Sequence, residues 1–342
     1  MGVTLEPAPQ ILVEDGRQHL GRFSGPLHKL NLIDARYHRL PRPLRWLRLK
    51  EWQAIQVATP ELFVSVALFD AKLMSLMQVK IYDRTRNEKI VHEWTLRPGA
   101  FTVADQLLDS TTRYADKRGS LEFRNELARD RITVTVDLHA TKTLPRVAGE
   151  FELHIARGAS FVVSMPFAGD VGMYSHKGMF PVAGQLVVGE HTFALATALA
   201  MLDDHKGYYP YVMRWDWVSS TMRSDGHARG FNLTHNQCRD PDRFNENCAW
   251  QDDRIGLLPA VEFTREHVRS ADERWRITDR DGRVDVTFTP TVPGDFKLNA
   301  VVVQSKYRGP YGHFTGRLEP EGLAAFSVDG WFGMGEDFYL RC

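Results

Sequence analysis

The chain has 342 residues, of which 43% are hydrophobic and 25% charged, and its 43 Lys and Arg residues balance 43 Asp and Glu residues. This length exceeds the usual size of one domain, about 100–200 residues, so we expect two domains with ample apolar material for a core. A nucleic-acid binder usually carries a basic excess, and the balanced charge therefore argues against a nucleic-acid partner.

The sequence shows neither a secretory signal nor a membrane span. The N-terminus lacks a basic start followed by an apolar run, and no apolar stretch approaches the roughly 18 residues that a span needs. We therefore expect a soluble, cytoplasmic protein without a transmembrane segment. The three cysteines, Cys238, Cys248 and Cys342, are too few for a disulfide framework. Cys238 and Cys248 would pair if oxidised, but we expect reduced thiols in a loop.

Residues 1–50 are predicted to form an irregular N-terminal arm, because Gly and Pro interrupt them repeatedly. Arginine recurs at every third position from Arg36 through Arg39 to Arg48, with leucines and a tryptophan between. Pro41 and Pro43 argue against a continuous helix there. Two interpretations stay open: a solvated arm that lies on the domain, or a basic and apolar patch that touches an anionic membrane surface.

From residue 51 onwards the chain shows the pattern of short strands. Residues 132–138 alternate between apolar and polar side chains, which predicts a half-buried strand. Helix is scarce: residues 194–202 favour two helical turns, and residues 102–118 are either helix or extended loop. The predicted strands cover residues 62–69, 78–82, 132–138, 151–155, 161–167, 185–188, 283–289, 298–304 and 323–328.

A turn at residues 168–172 divides these strands into two groups of about seven to nine, the number that closes a small barrel around one ligand. We therefore expect an all-β protein with an N-terminal β-barrel over residues 51–168 and a C-terminal β-barrel over residues 169–342. The sequence leaves the oligomeric state unknown.

Residues 202–250 carry the densest set of chemically useful side chains, which is typical of a pocket lining. Asp203 and Asp204 are adjacent, so in a strand they face opposite sides and at most one faces a pocket. A buried carboxylic acid has a raised pKa and can protonate an alkene or a carbonyl, with His205 sharing the proton transfer. The alternative is that one aspartate caps a turn before Lys206 and the other is solvated.

Glu246 is a second candidate acid, because amide side chains flank it on both sides. The same residues would serve equally well in a polar hairpin turn. Trp215 and Trp217 lie two positions apart and share one face of a strand, where they form either a pocket floor or core. The candidate substrate-binding residues here are Tyr208, Tyr211, Trp215, Trp217, Asn232, Asn236, Asn247 and Trp250.

The carboxylates and histidines of this stretch show no recognised metal-ligand spacing, and we expect no metal. A nucleophile elbow, a phosphate-binding glycine loop and dinucleotide-binding glycines are also missing from a strand–turn–helix context. We therefore expect no organic cofactor.

Several ordered motifs carry a family resemblance. They are KLNLIDA (29–35), LKEWQAIQV (49–57), LDDHKGYYPYVMRWDW (202–217), GFNLTHN (230–236), NENCAWQDDRIGLLPAVEF (245–263) and YGHFTGRLEPEGLAAFSVDGWFGMGEDFYLRC (311–342). Together they resemble the bacterial family labelled domain of unknown function 2804. That family is similar to carotenoid hydratase (hydroxyneurosporene synthase) and AttH-like proteins.

The resemblance implies two lipocalin-like, calycin-type antiparallel barrels packed side by side. It also places Glu336 inside the second barrel, where the alternative is an ion pair with Arg341. The relatives include hydratases, cyclases and related enzymes of isoprenoid and polyketide chemistry. We therefore expect a cofactor-independent acid–base enzyme, of hydratase, cyclase or isomerase type, that acts on an apolar small molecule. The alternative is a non-catalytic carrier of a hydrophobic ligand.

Overall fold

The structure, a computed structural model, describes residues 5–37, 40–169, 171–299 and 304–341. The chain forms two compact units. The N-terminal unit contains Glu6–Ser164 and Met173–Tyr208. The C-terminal unit contains Met165–Gly172 and Tyr209–Cys342, together with Met1–Leu5.

Strands dominate both units. In chain order the described residues contain β1 (Glu6–Pro7), β2 (Val13–Glu14), β3 (Arg17–Gln18), β4 (Gly21–Ser24), β5 (Lys50–Ala58), β6 (Leu62–Asp70), β7 (Ser75–Asp83), β8 (Glu88–Leu96), β9 (Ser110–Asp116), β10 (Gly119–Glu126), β11 (Arg131–Leu138), β12 (Val147–His154), β13 (Ala159–Pro166), β14 (Gly172–Val188), β15 (His191–Ala194), β16 (Leu199–Gly207), β17 (Val212–Ser224), β18 (His227–Asn236), β19 (Cys248–Gln251), β20 (Arg254–Leu257), β21 (Glu262–Glu266), β22 (Arg274–Thr278), β23 (Val284–Val292), β24 (Asp295–Asn299), β25 (Gln304–Arg308), β26 (Tyr311–Leu318), β27 (Phe326–Ser327) and β28 (Trp331–Arg341). The helices are α1 (Arg42–Arg48) and α2 (Pro241–Phe244).

The N-terminal unit is built on a sheet whose strands follow the order β8-β7-β6-β5-β16-β14-β12-β11-β10-β9. All pairs along this path are antiparallel, and β16 joins β5 to β14 in the middle. Alternate side chains of each strand point inward. They form one apolar core that includes Ile55, Val66, Val79, Phe123 and Leu202.

The C-terminal unit has a second antiparallel sheet, in the order β20-β19-β18-β17-β28-β26-β23-β22-β21. Its core includes Val218, Phe231, Trp275, Val286 and Phe314. Each sheet curls into a half-barrel. These observations confirm the predicted all-β class with antiparallel, curled sheets and little helix.

Helix α1 contradicts the expectation that prolines prevent a helix in this segment. It begins at Arg42, with Pro41 at the N-cap and Pro43 in the first turn. The amides of a first helical turn have no acceptor within the helix, so a proline there sacrifices no hydrogen bond. Arg39 lies outside the described residues.

The helix expected over residues 194–202 is also wrong, because β15 ends at Ala194 and β16 begins at Leu199. Alanine and leucine favour a helix locally, but Ala200 and Leu202 are buried in the core, and β16 pairs along both edges. Pairing and burial together outweigh the local propensity. Within residues 102–118 the structure forms no helix: residues 102–109 are an irregular loop, and β9 follows at Ser110–Asp116.

Two of the predicted strands need adjustment. The strand expected over residues 298–304 falls on the end of β24 and the first residue of β25, and residues 300–303 lie outside the described residues. Only β27 forms within residues 323–328.

Candidate active site

Neighbouring strands of the N-terminal unit change from apolar to polar on their inward face at one end of the sheet. In β16 the inward residues Ala200 and Leu202 are followed by Asp204 and Lys206. The register places β5 and β14 beside them with the same change. We call the resulting buried set the polar layer, which comprises Glu51, Gln53, Asp70, Lys72, Ser75, Asn125, Tyr174, His176, Asp204 and Lys206.

Four charged members of the polar layer form a chain of ion pairs. Lys206 Nζ donates to Glu51 Oε1 at 2.6 Å. Lys72 Nζ donates to the other carboxylate oxygen of Glu51 and to Asp70 Oδ2, the latter at 2.7 Å. Burial alone would raise the pKa of Glu51, but the two ammonium groups outweigh it and lower that pKa. Two cations therefore balance two carboxylates.

Asp204 is a further carboxyl in this layer, without a cation bonded to it. It is fully buried, and neither carboxyl oxygen has a hydrogen-bond partner within the described parts of the chain. Burial raises the pKa of Asp204 to about 7, although Lys206 opposes the shift. Asp204 therefore keeps its proton at a pH where an exposed aspartate is ionised.

His176 lies directly opposite Asp204 on the paired strand β14. The Cβ atoms of such cross-strand pairs are about 4.5–5.5 Å apart. Burial lowers the pKa of His176 to about 4, so its imidazole is neutral at pH 7. Nδ1 lies 3.3 Å from the Tyr174 hydroxyl, and Nε2 has no partner among the described residues. In the tautomer that donates from Nδ1 to Tyr174, Nε2 presents a lone pair.

An amide pair crosses the interior beside these groups. Gln53 Nε2 donates to Asn125 Oδ1 at 2.6 Å, and Asn125 Nδ2 donates to Ser110 Oγ at 3.2 Å. Because β5 and β10 are not neighbours in the sheet order, this bond joins opposite walls of the half-barrel. The polar layer is thus held in place by hydrogen bonds as well as by ion pairs.

Asp203 points to the opposite face of β16, as predicted for adjacent residues of a strand. Its Oδ1 accepts from Lys177 Nζ at 2.6 Å and lies 2.8 Å from His205 Nε2. Trp52 stacks on the His205 ring at 4.3 Å. Burial would raise the pKa of Asp203, but Lys177 and His205 outweigh it and lower that pKa. Asp203 is therefore ionised and makes a poor proton donor.

Ser175, His205 and Asp203 are the residue types of a serine hydrolase triad, but their geometry differs from one. Ser175 Oγ lies 2.9 Å from His205 Nε2, the same nitrogen that Asp203 approaches. A triad needs the serine and the carboxylate at opposite imidazole nitrogens, so that one orients the ring while the other is deprotonated. The cluster therefore orients His205 rather than activating Ser175.

The candidate residues after Tyr208 all belong to the C-terminal unit, so the structure does not place them in the polar layer. Trp215 stacks on Phe338 with ring centres 3.8 Å apart, and its Nε1 donates to Glu336 Oε2 at 3.0 Å. Tyr307 donates to Glu336 Oε1 at 2.7 Å. Glu336 thus accepts hydrogen bonds from two aromatic side chains.

Asn232 connects two other candidates. Its Oδ1 accepts from Trp217 Nε1 at 2.7 Å, and its Nδ2 donates to the backbone carbonyl of Glu246 at 2.9 Å. Trp217, Asn232 and Glu246 are all buried. Glu246 also lines a small open pocket of about 40 Å³, together with His235 and Asn236, which leaves room for no more than a few water molecules.

The remaining candidates are dispersed. Asn247 accepts from the Thr234 amide at 2.6 Å and donates to the Pro259 carbonyl at 2.8 Å, so both ends of its side chain hold backbone. Asn236 accepts from the Cys238 amide at 3.0 Å. The other two differ in exposure, since Trp250 is fully buried and Tyr211 is 61% exposed.

Tyr208 is the candidate aromatic residue that lies in the N-terminal unit. It is buried, and its ring packs edge-on against Tyr37 at 5.0 Å. Burial raises its pKa, and its hydroxyl has no hydrogen-bond partner within the described ranges. Tyr208 follows directly from β16, two residues beyond Lys206.

Comparison with known proteins identifies the family. The family model described as "Domain of unknown function (DUF2804)" matches residues 4–341. The chain belongs to this family. The resemblance expected from the motifs is thereby confirmed. Among solved structures, the chain is similar to kievitone hydratase from Nectria haematococca, with a TM-score of 0.48, 14% sequence identity, and coverage of 85% of this chain and 88% of that one. No curated protein matches the chain.

Three further observations bear on the predictions for this DUF2804 chain. Cys238 and Cys248 are not joined in a disulfide, and Cys248 begins strand β19 rather than lying in the predicted loop. None of the helices in the described residues is long and apolar enough to cross a membrane. The described residues also contain no group of three or more His, Cys, Asp or Glu side chains that would hold a metal ion.

Sequence reasoning on this DUF2804 chain missed most of the polar layer. Glu51, Lys72 and His176 were not candidates, although each is buried. A usable signal exists in strand periodicity: His176 stands on the same inward phase of β14 as the core residues Phe180 and Val182. A polar residue at an inward position of a strand whose other inward residues are apolar will be buried. Buried polar residues are uncommon without a hydrogen-bond partner or a functional role.

Proposed function

We propose that this protein is an acid–base enzyme of hydratase type, in which Asp204 is the general acid and His176 the general base for an apolar substrate. One observation carries the proposal: a fully buried carboxyl without a hydrogen-bond partner among the described residues stands directly opposite a fully buried imidazole. Burial raises the pKa of Asp204 to about 7 and lowers that of His176 to about 4, so near pH 7 about half of the Asp204 carboxyls still carry a proton to give, while the imidazole is neutral and can accept one.

The proton transfers follow from this pairing. Asp204 gives its proton to one carbon of a substrate double bond, which breaks the π bond and leaves a cation on the other carbon. The oxygen of a water molecule bonds to that cation, and His176 Nε2 accepts a proton from the water. The new imidazolium returns this proton to the Asp204 carboxylate by way of a bridging water molecule, because the two side chains face each other across the strand pair without bonding directly. One water molecule is added, and both side chains regain their starting states.

The same acid also supports the related reactions. If the base removes a proton from a neighbouring carbon, the result is isomerisation, and if a second double bond attacks the cation, the result is cyclisation. General acid–base catalysis contributes about 10²–10⁴-fold, and substrate positioning must supply the remainder. These steps use side chains of the chain and water.

The surroundings of Asp204 favour an apolar substrate. On the core side, the inward neighbours of the polar layer are Ile55, Phe180 and Leu202, all of them apolar. The Glu51 carboxylate is held in ion pairs with Lys206 and Lys72, so it does not compete for the Asp204 proton. A substrate that reaches Asp204 therefore meets one acid that lies between the apolar core on one side and the polar layer on the other.

The first step of the test is to identify the substrate class. Native mass spectrometry of protein purified gently from its own host, with extraction of any bound small molecule, would provide a compound for turnover assays. We expect Asp204→Asn to abolish turnover of that compound while its affinity stays within a few-fold of the wild type, because the amide keeps the shape but lacks the proton.

The matched control is Asp203→Asn, one residue away on the opposite face of the same strand. Because Asp203 is held ionised by Lys177, the proposal predicts that the folded control variant retains turnover. Equal loss in both variants would contradict the assignment of Asp204. A compound that binds to wild type and Asp204→Asn alike, with no turnover in either, would instead favour a carrier of hydrophobic ligands.

A further inference from the structure

Helix α1 and the turn between β6 and β7 expose a cluster of apolar side chains. Leu44 is 47% exposed, Trp46 44%, Leu47 36% and Leu73 61%. Eight large apolar side chains are exposed among the described residues, and half of them belong to these two short segments. Single exposed apolar side chains are ordinary, whereas a concentrated group marks an interaction surface.

The two segments adjoin each other and form one surface. Lys50 Nζ donates to the Leu47 carbonyl of α1 at 3.4 Å and to the Ala71 carbonyl of the turn at 3.2 Å. Lys72 Nζ lies 5.5 Å from the centre of the Trp46 ring. We call the set of Leu44, Trp46, Leu47 and Leu73 the docking surface.

Helix α1, which supplies three of the four residues of the docking surface, carries only positive side-chain charge, whereas Lys72 beside Leu73 is balanced by Glu51 and Asp70. Residues 40–50 contain Arg42, Arg45, Arg48 and Lys50 and no carboxylate. The Arg42 side chain is 63% exposed, although it also pairs with Asp34. Exposed leucines and a tryptophan beside clustered cations fit the boundary of an anionic lipid bilayer, where apolar side chains enter the acyl region and cations meet phosphate groups.

The docking surface also lies next to the polar layer. Lys72 bonds to Glu51 inside the polar layer, and the next residue, Leu73, belongs to the docking surface. We propose that the docking surface binds an anionic lipid membrane and that, given the proposed function, an apolar substrate passes from the lipid to the polar layer at this end of the N-terminal unit.

Vesicle co-sedimentation tests the binding directly. We expect the wild type to sediment with phosphatidylcholine vesicles that contain phosphatidylserine, and less as salt increases, because salt screens charges beyond about 10 Å at 0.1 M. Trp46→Ser with Leu47→Ser and Leu73→Ser should weaken binding at least about tenfold, since three apolar side chains no longer enter the bilayer. Arg42→Gln with Arg48→Gln should weaken it about 25-fold, at about fivefold per charge.

The control variant is Met222→Ser with Val268→Ser, which removes two exposed apolar side chains of the C-terminal unit. It should bind vesicles like the wild type. Wild-type protein that does not bind, a triple variant that binds unchanged, or a control that loses as much would each overturn the proposal. So would sedimentation velocity that shows the docking surface joining two copies of the chain.

The vesicle-binding test and the turnover test of the proposed function can fail independently of each other. Asp204→Asn leaves the docking surface intact and should sediment with vesicles as the wild type does. If vesicle binding fails while Asp204→Asn still abolishes turnover, the membrane inference alone is overturned. If vesicle binding holds while Asp204→Asn retains turnover, docking stands and the catalytic assignment falls.

Discussion

Asp204 is a carboxyl whose charge is set by burial, because no described group bonds to it in the ionised form. This has a measurable consequence for stability. Its pKa is about 7 in the folded chain and about 3.8 in the unfolded chain. The contribution of the neutral acid to the free energy of unfolding is therefore complete below about pH 3.8, and it is lost as the pH rises through about 7. Ionisation above that pH costs at most about 4 kcal/mol, at about 1.4 kcal/mol per pH unit.

We therefore expect Asp204→Asn to be inactive and yet more stable than the wild type at about pH 8, because the amide is never charged. Urea unfolding of both proteins from about pH 4 to about pH 8 measures the difference. The free energy of unfolding of the wild type should fall relative to that of the variant over this range. Parallel curves would show that Asp204 titrates as an ordinary aspartate.

Glu51 illustrates the opposite case, a buried charge that depends on its partners. Glu51→Gln leaves Lys206 and Lys72 without their shared carboxylate, and breaking a buried ion pair in this way costs about 3–5 kcal/mol. The control Glu319→Gln removes the exposed partner of Arg317 and should cost less than about 1 kcal/mol. Chemical denaturation of both variants makes the comparison, and similar losses would contradict a structural role for Glu51.

At the scale of elements, alternation was a dependable guide to strand β11, because its alternate residues Ile132, Val134, Val136 and Leu138 all lie in the core. Propensity was a poor guide where pairing decided the outcome. Residues 199–202 read as helix, yet β16 carries the candidate acid because it pairs with β5 and β14. Strand pairing between distant segments is a property of the whole sheet, and a local window does not contain it.

Strand β14 contains Gly184, where the backbone conformation and the neighbouring strand leave no room for a side chain. Gly184 has φ +121°, and an added Cβ would meet the backbone of Glu150 and Phe151 on β12. Gly184→Ala should therefore destabilise the protein by about 1–3 kcal/mol through strain, with the steric clash adding to it. Gly226→Ala is the control, because Gly226 also has a positive φ but open space around it. Thermal unfolding should show a larger loss for Gly184→Ala, and equal losses would refute the clash.

At the scale of the whole molecule, the sequence predicted the all-β class and the acidic pair at residues 203–204, but not the buried residues that surround Asp204. The bonded residues Glu51 and Lys206 are separated by 155 positions in sequence, and they meet only because β16 pairs with β5. The same pairing pattern brings His176 opposite Asp204. Candidates beyond Tyr208 were grouped by closeness in sequence, whereas the structure assigns them to the other unit.

Asp204 keeps its proton to a much higher pH than an exposed aspartate does, and infrared difference spectroscopy between wild type and Asp204→Asn measures this directly. A protonated carboxyl has its own C=O stretching band. We expect such a band in the wild type at about pH 5, lost with a midpoint near pH 7 and missing from the variant at every pH. A band already lost at about pH 5, with a midpoint near that of an exposed aspartate, would contradict it.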